Sequence, residues 1–423
     1  MLSSRGQANA DQLDIPFRFA QGTKYDRETN PDGLISFGTA ENALMQQELE
    51  EFAKKVHIPG ASFRYAYCSA GGTHLPSALA THINEYFHPH QLLVGDDIKI
   101  TAAATALHSV LAYSLCSPGE AILTTKPYYG RFELDFGNEA GVELVAAETD
   151  HEKCFDEDVV VALEQKLEAC EKVGVKVRAL LIVNPHNPLG RCYSKPTLLA
   201  LLSFCAKHAL HIISDEIYAL SVFSNTKCPD AVPFTSLLSL DTKAIIDPDY
   251  VHVTYGLSKD FGAAGLKIGA LITRNEQLKK AVHAVLRFHG VSGPSVAIGT
   301  AMLEGRVWCR GFIDLARERI GEAYEFVTSR LEELGIEYFK GANAGFFVWI
   351  DLSRYLPPAQ EGRSVFEREC MLAQKLVDGG VFLHPREEHS IRPGWFRVVY
   401  TMEKVFMAEG MRRLGKVLKE LQW

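Results

Sequence analysis

Four short segments carry side chains whose types suit joint chemistry. They are Asn184-Pro-His-Asn-Pro-Leu-Gly190, Asp215-Glu-Ile-Tyr218, Gly256-Leu-Ser-Lys259-Asp-Phe-Gly262 and Lys126-Pro-Tyr-Tyr129. Each follows an apolar run with the pattern of a strand: VRALLIV, LHIIS, VHVTY and AILTT. In an open α/β sheet, ligands sit in the crevice beyond the carboxyl ends of the strands. There an amine, a carboxylate, amides and aromatic rings would face one another across a small-molecule site. Each segment alone leaves a simpler reading open. NPHNP reads equally as a double turn, Asp215 as the cap of a following helix, Lys259 as an exposed loop lysine and Tyr129 as a core aromatic. Their conjunction, each at a strand end, favours the shared site.

The elements that must position these groups alternate along the chain. Strands are expected over Leu92–Thr101, Ala121–Thr125, Val142–Ala146, Val177–Val183, His211–Ser214, Val251–Tyr255 and Ala270–Thr273. Helices are expected over Glu41–Lys55, Ser77–Phe87, Ala102–Leu115, Val159–Lys172 and Pro196–Ala209. VRALLIV is almost continuously apolar, the mark of a strand buried on both faces. Strands separated by helices predict a mainly parallel sheet in an α/β domain. Near Arg306 the pattern changes. A charged amphipathic helix over Asp314–Leu334 leads to strands at Gly345–Asp351 and Trp395–Tyr400 and helices at Val365–Gly379 and Met402–Leu421. This predicts a smaller α+β lobe. Residues 1 to about 40 are polar and turn-rich and read as an arm.

Composition narrows the function. Of 423 residues, 47% are hydrophobic and 23% charged, which excludes a disordered chain and suits two or three domains. A net charge of -8 gives no basic footprint for nucleic acid. The nine cysteines are scattered, with no CxxC spacing, so neither a disulfide framework nor a zinc ribbon is expected. No secretory h-region opens MLSSRGQANADQ, and the apolar run at Leu198–Ala206 is too short to span a bilayer. A cytoplasmic protein, with neither nucleic acid nor membrane as partner, is expected. His208 and His211 lack a third ligand at metal spacing, so no metal site is expected. GAAGLKIG precedes a strand rather than leading one into a helix and is not a dinucleotide fingerprint.

Taken together, NPHNPLG, SDEIY and SKDFGAAGLKIG resemble the motifs of the fold-type I pyridoxal 5'-phosphate enzymes, in the class I/II aminotransferase group. The similarity runs from NPDGLISFGTAENAL near residue 30 to GWFRVVYT near residue 400 and looks closest to the 1-aminocyclopropane-1-carboxylate (ACC) synthase-like branch. It implies a fold-type I PLP-dependent transferase fold. A large domain over 60–305 would bind the cofactor, and residues 1–59 and 306–423 would make the small lobe of a homodimer subunit. It implies that Lys259 forms the Schiff base with the cofactor and moves the Cα proton. Asp215 would pair with the pyridine nitrogen, Tyr218 and Asn187 would donate to the phenolic oxygen, and Tyr129 would stack on the ring. Ala104, Thr105, Ser258 and Lys267 would hold the phosphate, with Lys267 standing where the family usually has an arginine. Arg397 would grip the substrate α-carboxylate, an assignment that reverses the simpler reading of a solvent-facing arginine on an alternating strand. Tyr25 and Glu41 would approach the substrate. The tyrosine that the family lends across the dimer falls at Ala70, with Tyr67 three residues earlier.

The implied function is Cα deprotonation of an α-amino acid, foremost in an aminotransferase-like enzyme. A carbon–sulfur lyase or ACC-forming synthase is the alternative. A cofactor-free binding protein on the same fold is the third reading.

Overall fold

The structure is a computed structural model and describes residues 1–18, 22–68, 71–385 and 389–423. Ala70 therefore lies outside the described residues. A short strand β1 (Ile35–Ser36) precedes the main sheet. That sheet has seven strands: β2 (Ile98–Ala102), β3 (Ala121–Thr125), β4 (Glu143–Ala147), β5 (Val177–Val183), β6 (His211–Asp215), β7 (Val251–Gly256) and β8 (Ile268–Thr273). Their order is β2-β8-β7-β6-β5-β3-β4. The pairs from β7 to β4 are parallel, and β8 runs antiparallel to both its neighbours. In β5 every residue except Arg178 is buried, as its apolar run requires of a central strand. Two apolar clusters cover this sheet. One holds Leu180, Ile182 and Ile212, and the other Leu181, Ile213 and Leu271, as alternation along β5, β6 and β8 dictates.

The chain then forms an antiparallel sheet of β9 (Glu337–Tyr338), β10 (Phe347–Asp351) and β12 (Trp395–Val399), in the order β12-β10-β9. Strand β11 (Val381–Phe382) pairs in parallel with β1. Residues 35–37 thereby join the C-terminal core, where Ile35 and Phe37 pack with Val381, Phe396 and Met411.

Several expectations shift. The strand expected from Leu92 begins at Ile98, because Gly95–Asp97 forms a 3-10 turn in which Asp97 Oδ2 accepts from the Val94 N–H at 3.0 Å. The helix expected from Glu41 occupies Gln46–Ala53, after a 3-10 turn at Ala43–Met45. The helix expected from Asp314 starts at Arg306 and runs 28 residues. The arm is not without structure. Ser3 caps a helix over Ser4–Asp11, and the arm packs back on the molecule. Gln12 Nε2 donates to Asn138 Oδ1 at 2.9 Å, and Arg131 donates to the Arg18 carbonyl at 2.5 Å. Helices at Glu276–Val285 and Gly293–Glu304 add to the expected set. Among the described residues, no helix is long and apolar enough to cross a membrane.

Candidate active site

A cleft of about 920 Å³ opens beyond the carboxyl ends of the parallel strands. All four singled-out segments reach it: Tyr129 after β3, Asn187 after β5, Asp215 and Tyr218 at the end of β6, and Ser258 with Lys259 after β7. Ala104 and Thr105 line it from the first turn of the helix Ala103–Leu115, Lys267 from the turn before β8, and Arg397 from β12. The main sheet and the small lobe thus supply opposite walls.

The simpler readings give way to burial. NPHNP is not an exposed turn. Asn184, His186 and Asn187 are buried, and the loop closes its own polar groups, with the His186 N–H donating to the Arg191 carbonyl at 2.8 Å. Asn184 Nδ2 donates to the Thr235 carbonyl at 2.9 Å. Asp215 does cap locally, but with one oxygen only. Oδ1 accepts from the Ile217 N–H at 3.3 Å and from Thr254 Oγ1 at 3.1 Å. Its Oδ2 lies 3.6 Å from His108 Nε2. Burial raises the Asp215 carboxyl above its usual value, while the charge on His108 opposes the rise.

Lys259 is no loop lysine in solvent. Its Nζ donates to the Ala40 carbonyl at 2.5 Å and sits 5.8 Å from the centre of the Tyr218 ring. Burial, and then the nearby Arg397 cation, bring its amine down to about 8, against the opposing charges of Glu41 and Asp215. Near neutral pH a usable fraction of neutral, nucleophilic amine therefore exists. Asp260 anchors the same loop. It accepts from the Leu220 N–H at 2.9 Å and from Ser221 Oγ at 2.6 Å, tying the Lys259 segment to the turn that carries Tyr218.

Arg397 is 4% exposed, not solvent-facing. It pairs across the sheet with Trp349 and donates to Asn187 Oδ1 and to the Gly38 carbonyl, both at 2.9 Å. Its guanidinium lies 5.8 Å from the Tyr129 ring centre and 5.6 Å from that of Phe347. The fork is thereby fixed at the cleft wall, a geometry suited to a carboxylate.

Two expected residues, Tyr25 and Glu41, do not line the cleft. Tyr25 packs edge-on against Phe406 at 5.6 Å, with the Arg413 guanidinium 4.9 Å from its ring centre. The Glu41 side chain is exposed, although its charge is felt at Lys259 and its carbonyl accepts from Thr401 Oγ1 at 2.6 Å. Tyr67 packs partly buried against the large core. Sequence reasoning also missed His108 and Asp135. His108 lies one helical turn after Ala104, and its Nδ1 is 3.0 Å from Asp135 Oδ2. The signal available was a histidine inside an otherwise small and apolar helix.

This sheet order, the antiparallel small sheet and the cleft between them define the fold-type I aminotransferase architecture. An aspartate aminotransferase from Thermus thermophilus with maleate shares the fold at a TM-score of 0.76, with 20% identity over 99% of each chain. Residues 34–414 match the family described as aminotransferase class I and II, and the chain belongs to it. It is 33% identical to the 1-aminocyclopropane-1-carboxylate synthase-like protein 1 of Mus musculus, over 99% of this chain and 83% of that protein. It is also 33% identical to the probable aminotransferase aclI of Aspergillus oryzae, over 99% of this chain and 98% of that protein. A human relative, 32% identical over 95% of this chain and 70% of its own length, is described as a probable inactive 1-aminocyclopropane-1-carboxylate synthase-like protein 2.

Proposed function

We propose that the protein is a pyridoxal 5'-phosphate-dependent enzyme that removes the Cα proton of an α-amino acid, foremost as an aminotransferase. The observation that carries this reading is the half-buried Lys259 amine, lowered to about 8, in one cleft with the buried Asp215 carboxylate and the Arg397 fork.

The residues fit the cofactor by their chemistry. The N-terminal turn of Ala103–Leu115 offers backbone N–H groups at Ala104 and Thr105, and Thr105 and Ser258 add hydroxyls for a phosphate. Lys267 brings a positive charge to the cleft mouth. Unlike the arginine usual in the family, it supplies a point charge without a planar fork. Asp215 suits a protonated ring nitrogen, Tyr129 a ring face, and Tyr218 and Asn187 a phenolic oxygen. When bound, the cofactor supplies an electron sink for a carbanion. Lys259 would hold the cofactor aldehyde through its neutral amine, and the same Nζ would serve to accept and return the substrate Cα proton. Arg397 orients the substrate through its carboxylate. The chain acts in this reading as a homodimer, with a large domain over 60–305 and a small lobe made of 1–59 and 306–423. Support for a second copy comes from Phe63, Tyr65 and Phe288, exposed by 76%, 96% and 76% respectively.

The relatives named for ACC synthase favour a second outcome at the same site, elimination or ring closure instead of transamination. A product assay across amino acids, scoring keto acid, ammonia and ACC separately, decides between them. Keto acid formed only with an amino acceptor is expected, and Lys259→Ala is expected to abolish it. Ammonia or ACC without an acceptor would replace transamination with the second outcome. Undiminished turnover by Lys259→Ala would overturn the reading.

A further inference from the structure

His108 stands between two carboxylates on the wall of the cleft. It is 2% exposed, and the rings of Phe132 and Phe136 pack against it at 5.1 and 5.2 Å. Its Nδ1 lies 3.0 Å from Asp135 Oδ2 and its Nε2 3.6 Å from Asp215 Oδ2. An ionised carboxylate only accepts hydrogen bonds, so Nδ1 must carry a proton toward Asp135. Nε2 has no hydrogen-bond partner among the described residues and faces only the Asp215 oxygen. A second proton there turns an orphaned buried nitrogen into a charge partner. The three groups then sum to one negative charge, which a protonated ring nitrogen would cancel. Without the imidazolium, the Asp215 carboxylate would lose the charge that opposes its rise on burial.

We propose that His108, held as an imidazolium between Asp135 and Asp215, is a positioning residue that keeps Asp215 ionised and so leaves the shared proton on the ring nitrogen of the bound cofactor. The inference rests on the reading that Asp215 meets that nitrogen. Removing the cation favours transfer of this proton from the ring nitrogen to Asp215 Oδ2, with no other bond made or broken. His108 also lies one turn beyond Ala104 and Thr105, so a single helix links the phosphate cradle to the ring's counter-charge.

The test uses full-length holoprotein loaded with cofactor carrying ¹⁵N in the ring. In the wild type the ring-nitrogen resonance is expected at the protonated position. In His108→Phe, which keeps an aromatic ring but no charge, it is expected to move toward the unprotonated position. The distribution of the proton should change by about ten- to a thousandfold, from the one to three pKa units that an adjacent cation supplies. His108→Gln, which removes the cation and keeps a polar side chain, is expected to move it the same way and serves if His108→Phe does not fold. Cofactor trapped on Lys259 by borohydride, equal in wild type and variants, separates this effect from lost binding. A protonated resonance unchanged in the variants would overturn the role of His108 while leaving the enzyme reading intact. Failure of the wild type to take up cofactor would overturn both.

Discussion

Arg397 does two jobs that a single substitution separates. Its fork faces the cleft, and its charge is the second cause of the lowered Lys259 amine. The neutral amine is the reactive form, so aldehyde capture should rise with pH through a midpoint near about 8 and then level off. Arg397→Ala removes a like charge, which raises the value. The midpoint should climb by about one unit or more, measured by visible absorbance after mixing with cofactor across a pH series. An unchanged midpoint would mean that burial alone lowers the amine. At this scale most of the cleft was legible, because Tyr129, Asn187, Asp215, Tyr218 and Lys259 all follow apolar runs whose strand character is local. His108 and Asp135 were not. A histidine in a helix reads as core, and its partner 27 residues away is set by the packing of two helices. The packing of Tyr25 was not legible for a related reason, since its direction depends on a small-lobe helix that no local pattern relates to it.

The elements hold the site through close approaches. Strand β8 passes so near the start of Ala103–Leu115 that a Cβ on Gly269 would lie 2.7 Å from the Ala103 carbonyl carbon. Gly269→Ala must therefore push the helix whose first turn lines the cleft. It should cost about 1–3 kcal/mol of stability, as overpacking does, and weaken cofactor binding in the same protein. Urea unfolding and cofactor titration check the two effects. Stability lost with cofactor affinity intact would argue against the helix start as the phosphate cradle. The alternation of strands and helices predicted the parallel part of the sheet. It did not reveal that β8 runs antiparallel, because direction comes from the connection and not from the strand's own residues. The helix Gly293–Glu304 hid behind Gly293-Pro294, two breakers that the first turn of a helix tolerates when Ser292 caps it.

For the molecule as a whole, burial of ionisable groups sets the response to pH. His82, His186 and His252 are lowered by burial to about 3, and His211 to about 4. Each binds its proton more readily unfolded than folded, so stability falls as pH drops below the ordinary histidine value. Glu216 and Asp260 act the other way. Burial raises both to about 7, so their contribution is lost as pH rises through that value. Four histidines against two carboxyls give a net loss on the acid side. The thermal midpoint should be lower at pH 5 than at pH 6.5. An equal or higher midpoint at pH 5 would show that these histidines are not held neutral. The change of pattern near Arg306 pointed to further α+β structure, and a long helix and a separate antiparallel sheet follow there. The joining of residues 35–37 to the C-terminal core was not legible, because a two-residue strand pairing with Val381–Phe382 leaves no periodicity to read.

The proposed function requires that the Lys259 amine bond covalently to the cofactor aldehyde. Incubation with pyridoxal 5'-phosphate, reduction with borohydride and peptide mass mapping test it most directly. A single pyridoxyl-phosphate adduct is expected, on the peptide that contains Lys259. An unmodified Lys259, or an adduct confined to other lysines, would contradict it.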